Sequence, residues 1–195
     1  MPSAPRTPEE LAREAYNSGI DHRDKGDKLE AKAATEKKDG DRIKDMAKAA
    51  DEYKKALKDF QKSAATLPTF AQAYNGMGYA NRKTGDYTTA LAMYDKALTL
   101  APGFPDALEY RGVAYLKLNR LDDAKAAYLD LFARDRKQAD ALMKEMDNWV
   151  KERSANPGTV DAAVVTAFSS WLQERAKLAS TTTAMSLVGH RSIWD

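Results

Sequence analysis

The sequence predicts an all-α chain, a solenoid of stacked helix hairpins, and three observations carry that reading. A block of about 34 residues recurs along the chain. Within each block, apolar and small residues return at spacings of three and four, the helical period. The composition, 43% hydrophobic and 31% charged over 195 residues, suits a soluble globular chain with a real core and argues against disorder throughout.

The repeat appears when Ala71 is placed over Pro105. Gly78 then meets Gly112, Gly85 meets Asn119, Tyr87 meets Leu121, Ala90 meets Ala124 and Tyr94 meets Tyr128. Upstream, Tyr53, Ala56, Phe60, Ser63 and Pro68 match Tyr87, Ala90, Tyr94, Ala97 and Pro102. Each unit reads as two helices, the first carrying Tyr74, Met77, Gly78 and Asn81, the second Ala90, Tyr94 and Ala97. Thr84-Gly85-Asp86 breaks the chain between them, with Gly85 placed for a left-handed C-terminal conformation. The absent side chain at Gly78 lets the partner helix approach, and the Tyr94 ring fills the space between neighbouring pairs. A lone hairpin of this kind cannot bury its apolar face, so the units stack.

The spacing of Tyr, small residue, Gly-x-Tyr, Ala-x3-aromatic-x2-Ala and closing Pro resembles the tetratricopeptide repeat family, most fully in Ala71–Phe104 and next in Pro105–Gln138. The resemblance implies a right-handed superhelix whose first helices line a concave groove for protein segments. Asn81, Arg111 and Arg136 depart from the family pattern, standing where Tyr, a bulky apolar residue and Pro are usual. The chain then divides into a disordered N-terminal arm (1–7), an elongated first hairpin (8–70), two repeats (71–104 and 105–138), a degenerate capping pair (139–179) and a tail (180–195).

The first unit is stretched. If Gly19 corresponds to Gly78, the spacing is 59 residues, 25 more than the repeat. The surplus, Lys28 to Ala50, is rich in Ala, Lys, Glu and Asp, with a turn signal at Lys38-Asp39-Gly40-Asp41. Both helices are expected to run on by about 11 residues, about 16 Å at the helical rise. Leu29, Ala33, Ile43, Met46 and Ala47 are the expected seam, with Gly26 inside the first helix.

Downstream, Leu142, Met143, Met146, Trp149 and Val150 form one helical stripe. Asn156-Pro157-Gly158 breaks the chain, and Thr159 is the expected N-cap of a last helix. Val160, Ala163, Val164, Ala167, Phe168, Trp171 and Leu172 are its expected apolar face. The tail ends on an apolar Ile193-Trp194 that could dock on the molecule or on a neighbour.

Chemistry is scarce. There is no cysteine, and His22 and His190 are the two histidines, so thiolate, zinc and histidine-based catalysis lack their residues. No phosphate loop or dinucleotide fingerprint occurs, and Gly76-Met77-Gly78 lies within a helix. The carboxylate pairs Asp122-Asp123 and Asp24/Asp27 read as solvated helix termini, and His22 as a residue of the helix interface. No enzymatic activity, cofactor or metal is expected. The longest uncharged run, Ser63 to Asn81, is broken by polar residues, Pro and Gly, so no membrane insertion is expected. The N-terminus has no apolar signal core but could follow a removed signal, which leaves the compartment open between cytoplasmic and exported.

By the family's inward positions, the groove is expected to show Arg13, Tyr16, Ile20, Arg23, Gln72, Asn75, Tyr79, Arg82 and Lys83, then Asp106, Glu109, Val113, Leu116 and Lys117. Tyr16 and Tyr79 offer flat amphipathic contact, Asn75 suits a peptide backbone, and Arg82 and Lys83 suit carboxylates. Asp106 stands where carboxylate-clamping relatives want a Lys, which favours an extended protein segment over a free carboxylate. The expected role is an interaction module, a scaffold or adaptor. The alternative is self-assembly through the long hairpin or the tail. With 31 basic against 29 acidic residues, and Asp24, Asp86 and Asp106 beside the groove's cations, nucleic acid is disfavoured.

Overall fold

The computed structural model describes residues 5–191, and for 182–191 the backbone alone. Among the described residues there are eight helices and no strand. They are α1 (Pro8–Thr35), α2 (Asp39–Thr66), α3 (Ala71–Lys83), α4 (Tyr87–Leu100), α5 (Pro105–Lys117), α6 (Leu121–Arg134), α7 (Arg136–Ala155) and α8 (Ala162–Arg191). Consecutive helices pair as hairpins, and each second helix also packs on the first helix of the next hairpin. This is the all-α solenoid of the sequence reading.

The helix starts are chemically specified. Thr7 caps α1 in a capping box with Glu10, and Pro8 follows where its missing N–H costs nothing. Asp86 and Asp135 cap α4 and α7 through the amides of Thr89 and Gln138. The turn between α3 and α4 takes a positive φ at Gly85 (89°), and the equivalent turn takes one at Asn119 (56°), as their alignment implies. The last helix starts differently from the expected cap at Thr159. Asp161 takes that role, accepting from the amide of Ala163 at 2.7 Å, and Thr159 lies in the preceding turn.

Small residues set the helix spacing. The Phe60 ring, fully buried, lies against Gly19 of α1 and Gly76 of α3, where an added Cβ would stand 2.6 and 2.8 Å from it. Gly78 makes the same allowance for Tyr94, at 2.5 Å. Three core clusters follow one another along the stack, around Tyr53 and Ala49, around Tyr94 and Ala90, and around Leu131, Leu142, Met146 and Phe168. Two of the family departures find partners on a neighbouring helix. Arg111 of α5 reaches Asp95 of α4 at 2.8 Å, and the Arg136 guanidinium covers the Phe132 ring at 3.6 Å.

The first hairpin is long, each arm having 28 residues, with Gly26 inside α1 against the Tyr53 ring. Its seam differs from the expected one. Ala33 and Ala49 are buried, whereas Ile43 is 66% and Met46 45% exposed, and Ala47 also faces out. Asp45 takes the inward position, 3% exposed, with the ammonium groups of Lys32 and Lys48 at 2.6 and 3.6 Å from its carboxylate. A register of one or two residues separates the two readings, and on a helix that is a rotation of 100–200°.

The same rotation corrects α8, where Val165, Phe168 and Leu172 are buried while Ala163, Val164 and Ala167 are exposed. On α7, Leu142, Met146 and Trp149 are buried as expected. Helix α8 continues through the stretch assigned to a tail, and Ile193 and Trp194 lie outside the described residues.

Candidate functional site

The first helices α1, α3, α5 and α7 touch one another across successive hairpins, whereas α2, α4 and α6 are kept apart by them. A stack so spaced bends with its first helices inside. The inner wall gathers residues from α1, α3 and α5: Arg23 lies over the Tyr79 ring at 5.8 Å, and Arg82 sits between Tyr79 and Tyr110, at 5.0 and 5.2 Å from the ring centres. Tyr16 of α1 is half-buried, and burial raises its hydroxyl pKa. It rests on Phe60 and Phe70. Arg13 is exposed on α1, and Gln72 on the first turn of α3.

A polar network ties α1 to α2 and α3 beneath this wall. Tyr79 donates to Asp27 Oδ1 at 2.7 Å, and Tyr53 shares its one hydroxyl proton between Asp27 Oδ1 at 2.7 Å and Glu30 Oε2 at 2.8 Å. Burial and these carboxylate contacts push both phenol pKa values up, so the phenols act as donors throughout the physiological range. Lys83 pairs with Glu30 and lies 3.8 Å from Asp27. Burial alone would raise the Glu30 pKa, but the hydrogen bonds from Lys83 and Tyr53 hold it below its ordinary value. Lys83 is therefore neutralised from within, and Arg23 is likewise held by Asp24 at 2.8 Å. Asp27 sits in the body of α1, not at the solvated helix terminus expected from sequence. His22 does lie at an interface, with Nδ1 2.7 Å from Glu52 of α2.

The downstream half is acidic. Glu109 is 7% exposed, and burial pushes its carboxyl up to about 7; Arg82 opposes that rise while Glu145 and Asp106 add to it. Asp106 accepts from Gln138 of α7 at 2.6 Å, and Lys117 lies 3.8 Å from Glu152. Asn75, in the slot of α3 that Glu109 fills in α5, is 8% exposed with its Oδ1 buried and unpartnered.

The structure thus brings Arg23, Arg82 and Lys83 together around the Tyr79 ring. Asp27, Glu30, Tyr53, Tyr110 and Glu145 were not singled out as site residues from sequence. Tyr110 carried a signal, since it stands where the preceding repeat has Gly76. Asp27 and Glu30 carried none, because their hydrogen-bond partners are 23 to 53 residues away along the chain.

Residues 82–145 match the family model described as a tetratricopeptide repeat. The chain carries tetratricopeptide repeats. Repeats of this family usually serve as protein–protein interaction modules. A curated relative, the SGT1 homologue of Oryza sativa subsp. japonica, is 30% identical over 142 residues, 68% of this tetratricopeptide-repeat chain and 38% of the relative. The chain therefore spans well under half of that relative's length. Two crystal structures of MamA also resemble it. One is 22% identical with a TM-score of 0.41, covering 52% of this chain and 71% of that one. The other is 20% identical with a TM-score of 0.40, covering 67% and 95%. Among the described residues, no helix is long and apolar enough to cross a membrane.

Proposed function

We propose that the chain is a scaffold or adaptor whose inner wall binds an extended segment of a partner protein. The observation that carries this reading is the alignment of aromatic and polar groups from three successive first helices on one wall. Tyr16 and Arg23 come from α1, Asn75, Tyr79 and Arg82 from α3, and Glu109 and Tyr110 from α5. Tyrosine faces give contact area at low entropic cost, and the unpartnered Asn75 Oδ1 has room in its chemistry for a peptide N–H. A photo-crosslinking residue at Gln72, on the inner side, should capture a partner from a lysate of the source organism. The same residue at Ala92, exposed on α4, should not. Equal capture at both positions would remove the groove from the account.

Exposure at the hairpin tip favours a second reading, self-association. Ile43 and Met46 border an open groove of about 470 Å³ with Ala33, Ala34, Glu30 and Arg42. Light scattering across a concentration series tests it: a dimer that Ile43→Glu and Met46→Glu dissolve supports it, and a monomer at every concentration ends it.

A further inference from the structure

We infer that the outer groove between α6 and α8 seats a short amphipathic helix of a partner protein, with Arg175 taking a carboxylate of that helix. The site lies on the second helices of the last two hairpins. It is therefore separate from the inner wall and stands whether or not that wall binds a segment.

The groove has an apolar floor. It is open, encloses about 260 Å³ and is lined by Tyr128, Leu129 and Phe132 from α6 and by Arg175 and Leu178 from α8. Leu129 is 47% and Leu178 52% exposed, so two large apolar side chains stand in water on opposite sides of one groove. The floor between them is fixed. Tyr128 is buried, meets the Trp171 ring edge-on at 5.6 Å and has the Phe132 ring 5.7 Å away.

The charge beside this floor has no counter-ion. The Arg175 guanidinium lies over Trp171 at 5.7 Å, its Nε is buried without an acceptor, and among the described residues no carboxylate pairs with it. The Arg136 guanidinium, on the Phe132 ring at 3.6 Å, likewise has no ion pair among them. Their neighbours do, since Arg134 is held by Asp130 and Lys125 by Asp122. The segments 136–140 and 174–178 set Arg136, Lys137, Arg175 and Lys177 against Asp140 and Glu174, a basic surplus. A guanidinium stacked on an aromatic ring is already oriented, and a carboxylate can meet it through two parallel hydrogen bonds.

Size and architecture select the guest. A volume of about 260 Å³ is less than a drug-sized ligand occupies, and it suits one or two side chains of a larger partner. Among the described residues there is no strand, so a peptide has no sheet edge to extend. A helix presents apolar side chains three or four residues apart to the two leucines, and an acidic residue one turn away to Arg175.

The test pans a phage-displayed library of Ala-based helices about 16 residues long, randomised on one face, against the full chain. Leu129→Glu, at an exposed position, serves for counter-selection, and thermal melts verify the fold of every variant. The expected peptides carry two apolar residues three or four apart and a Glu or Asp one turn away. Replacing that acid by Ala should weaken binding about tenfold to the native chain and less than twofold to Arg175→Gln, while Arg82→Ala leaves binding unchanged. Peptides that need Leu129 but no acid, or that prefer basic residues, overturn the carboxylate seat. Peptides indifferent to Leu129→Glu, or no enrichment at all, overturn the groove. A dimer of the chain alone that Leu129→Glu dissolves gives the groove to a second copy and overturns the partner helix.

Discussion

The Tyr79 hydroxyl donates to Asp27 Oδ1 at 2.7 Å, and this bond joins α3 to α1 across 52 residues of sequence. Asp27 also accepts from Tyr53, so the carboxylate is the knot between the long first hairpin and the first standard repeat. Tyr79→Phe keeps the ring and its contacts with Tyr53, Tyr110 and Arg82. It should cost about 1.5 to 3 kcal/mol, the net value of one hydrogen bond to a charged group. Urea unfolding of the single variant, of Asp27→Asn and of the pair measures the coupling, and additive losses would show the bond to be idle.

Glu109 gives stability a pH dependence with a definite sign. Its folded-state pKa, about 7, lies above the ordinary carboxylate value of 4.5, so the unfolded chain surrenders the proton first. Stability is therefore full below about pH 4.5, falls as pH rises toward 7, and stays reduced above it. The shift corresponds to about 3 kcal/mol at full ionisation. Glu109→Gln should melt close to the native chain at pH 5 and several degrees higher at pH 8. A variant equally displaced at both pH values would contradict the assignment.

Much of the fold was legible because the repeat writes the same local rules several times. Gly78 against Tyr94, the turn at Gly85 and the start of the first helix near Pro8 each depend on residues close in sequence or in register with a second copy. Legibility failed where a rotation or a distant partner decides the outcome. Val164 and Val165 are equally apolar, and only packing on α7 determines which faces in. Ile43 and Met46 look like seam residues until Asp45, held by Lys32 and Lys48, takes the inward place. The α3 residues expected in the groove could be named from the repeat alone, but their ion-pair partners could not. Lys83 is neutralised by Glu30, which lies in the surplus turns of α1 that the standard repeat lacks.

Two glycines within helices should respond in opposite ways to alanine. A Cβ at Gly78 would stand 2.5 Å from the Tyr94 ring, itself fully buried, so the ring or the helix must move. Overpacking of this kind costs about 1 to 3 kcal/mol. Gly40, in the first turn of α2, has nothing within 4 Å of the added methyl, and its φ is not in the left-handed region. Gly40→Ala should stabilise by about 0.4 to 1 kcal/mol through the lower entropy of the unfolded chain. Denaturant midpoints of the two variants moving in the same direction would overturn the packing account.

Asn119 combines two roles that substitution can separate. Its φ of 56° is one that a side chain with a Cβ adopts at a cost, and Asn bears that cost better than most residues. Its Oδ1 also accepts from Trp149 Nε1 at 3.3 Å, joining the α5–α6 turn to α7. Asn119→Gly should relieve the backbone while losing the indole bond, leaving stability within about 1 kcal/mol of the native chain. Asn119→Ala loses the bond and keeps the strained φ, so it should be the less stable by about 1 kcal/mol or more. Tryptophan fluorescence during urea unfolding reports both the midpoint and the surroundings of Trp149. If alanine is tolerated as well as glycine, the left-handed turn is not what holds this position.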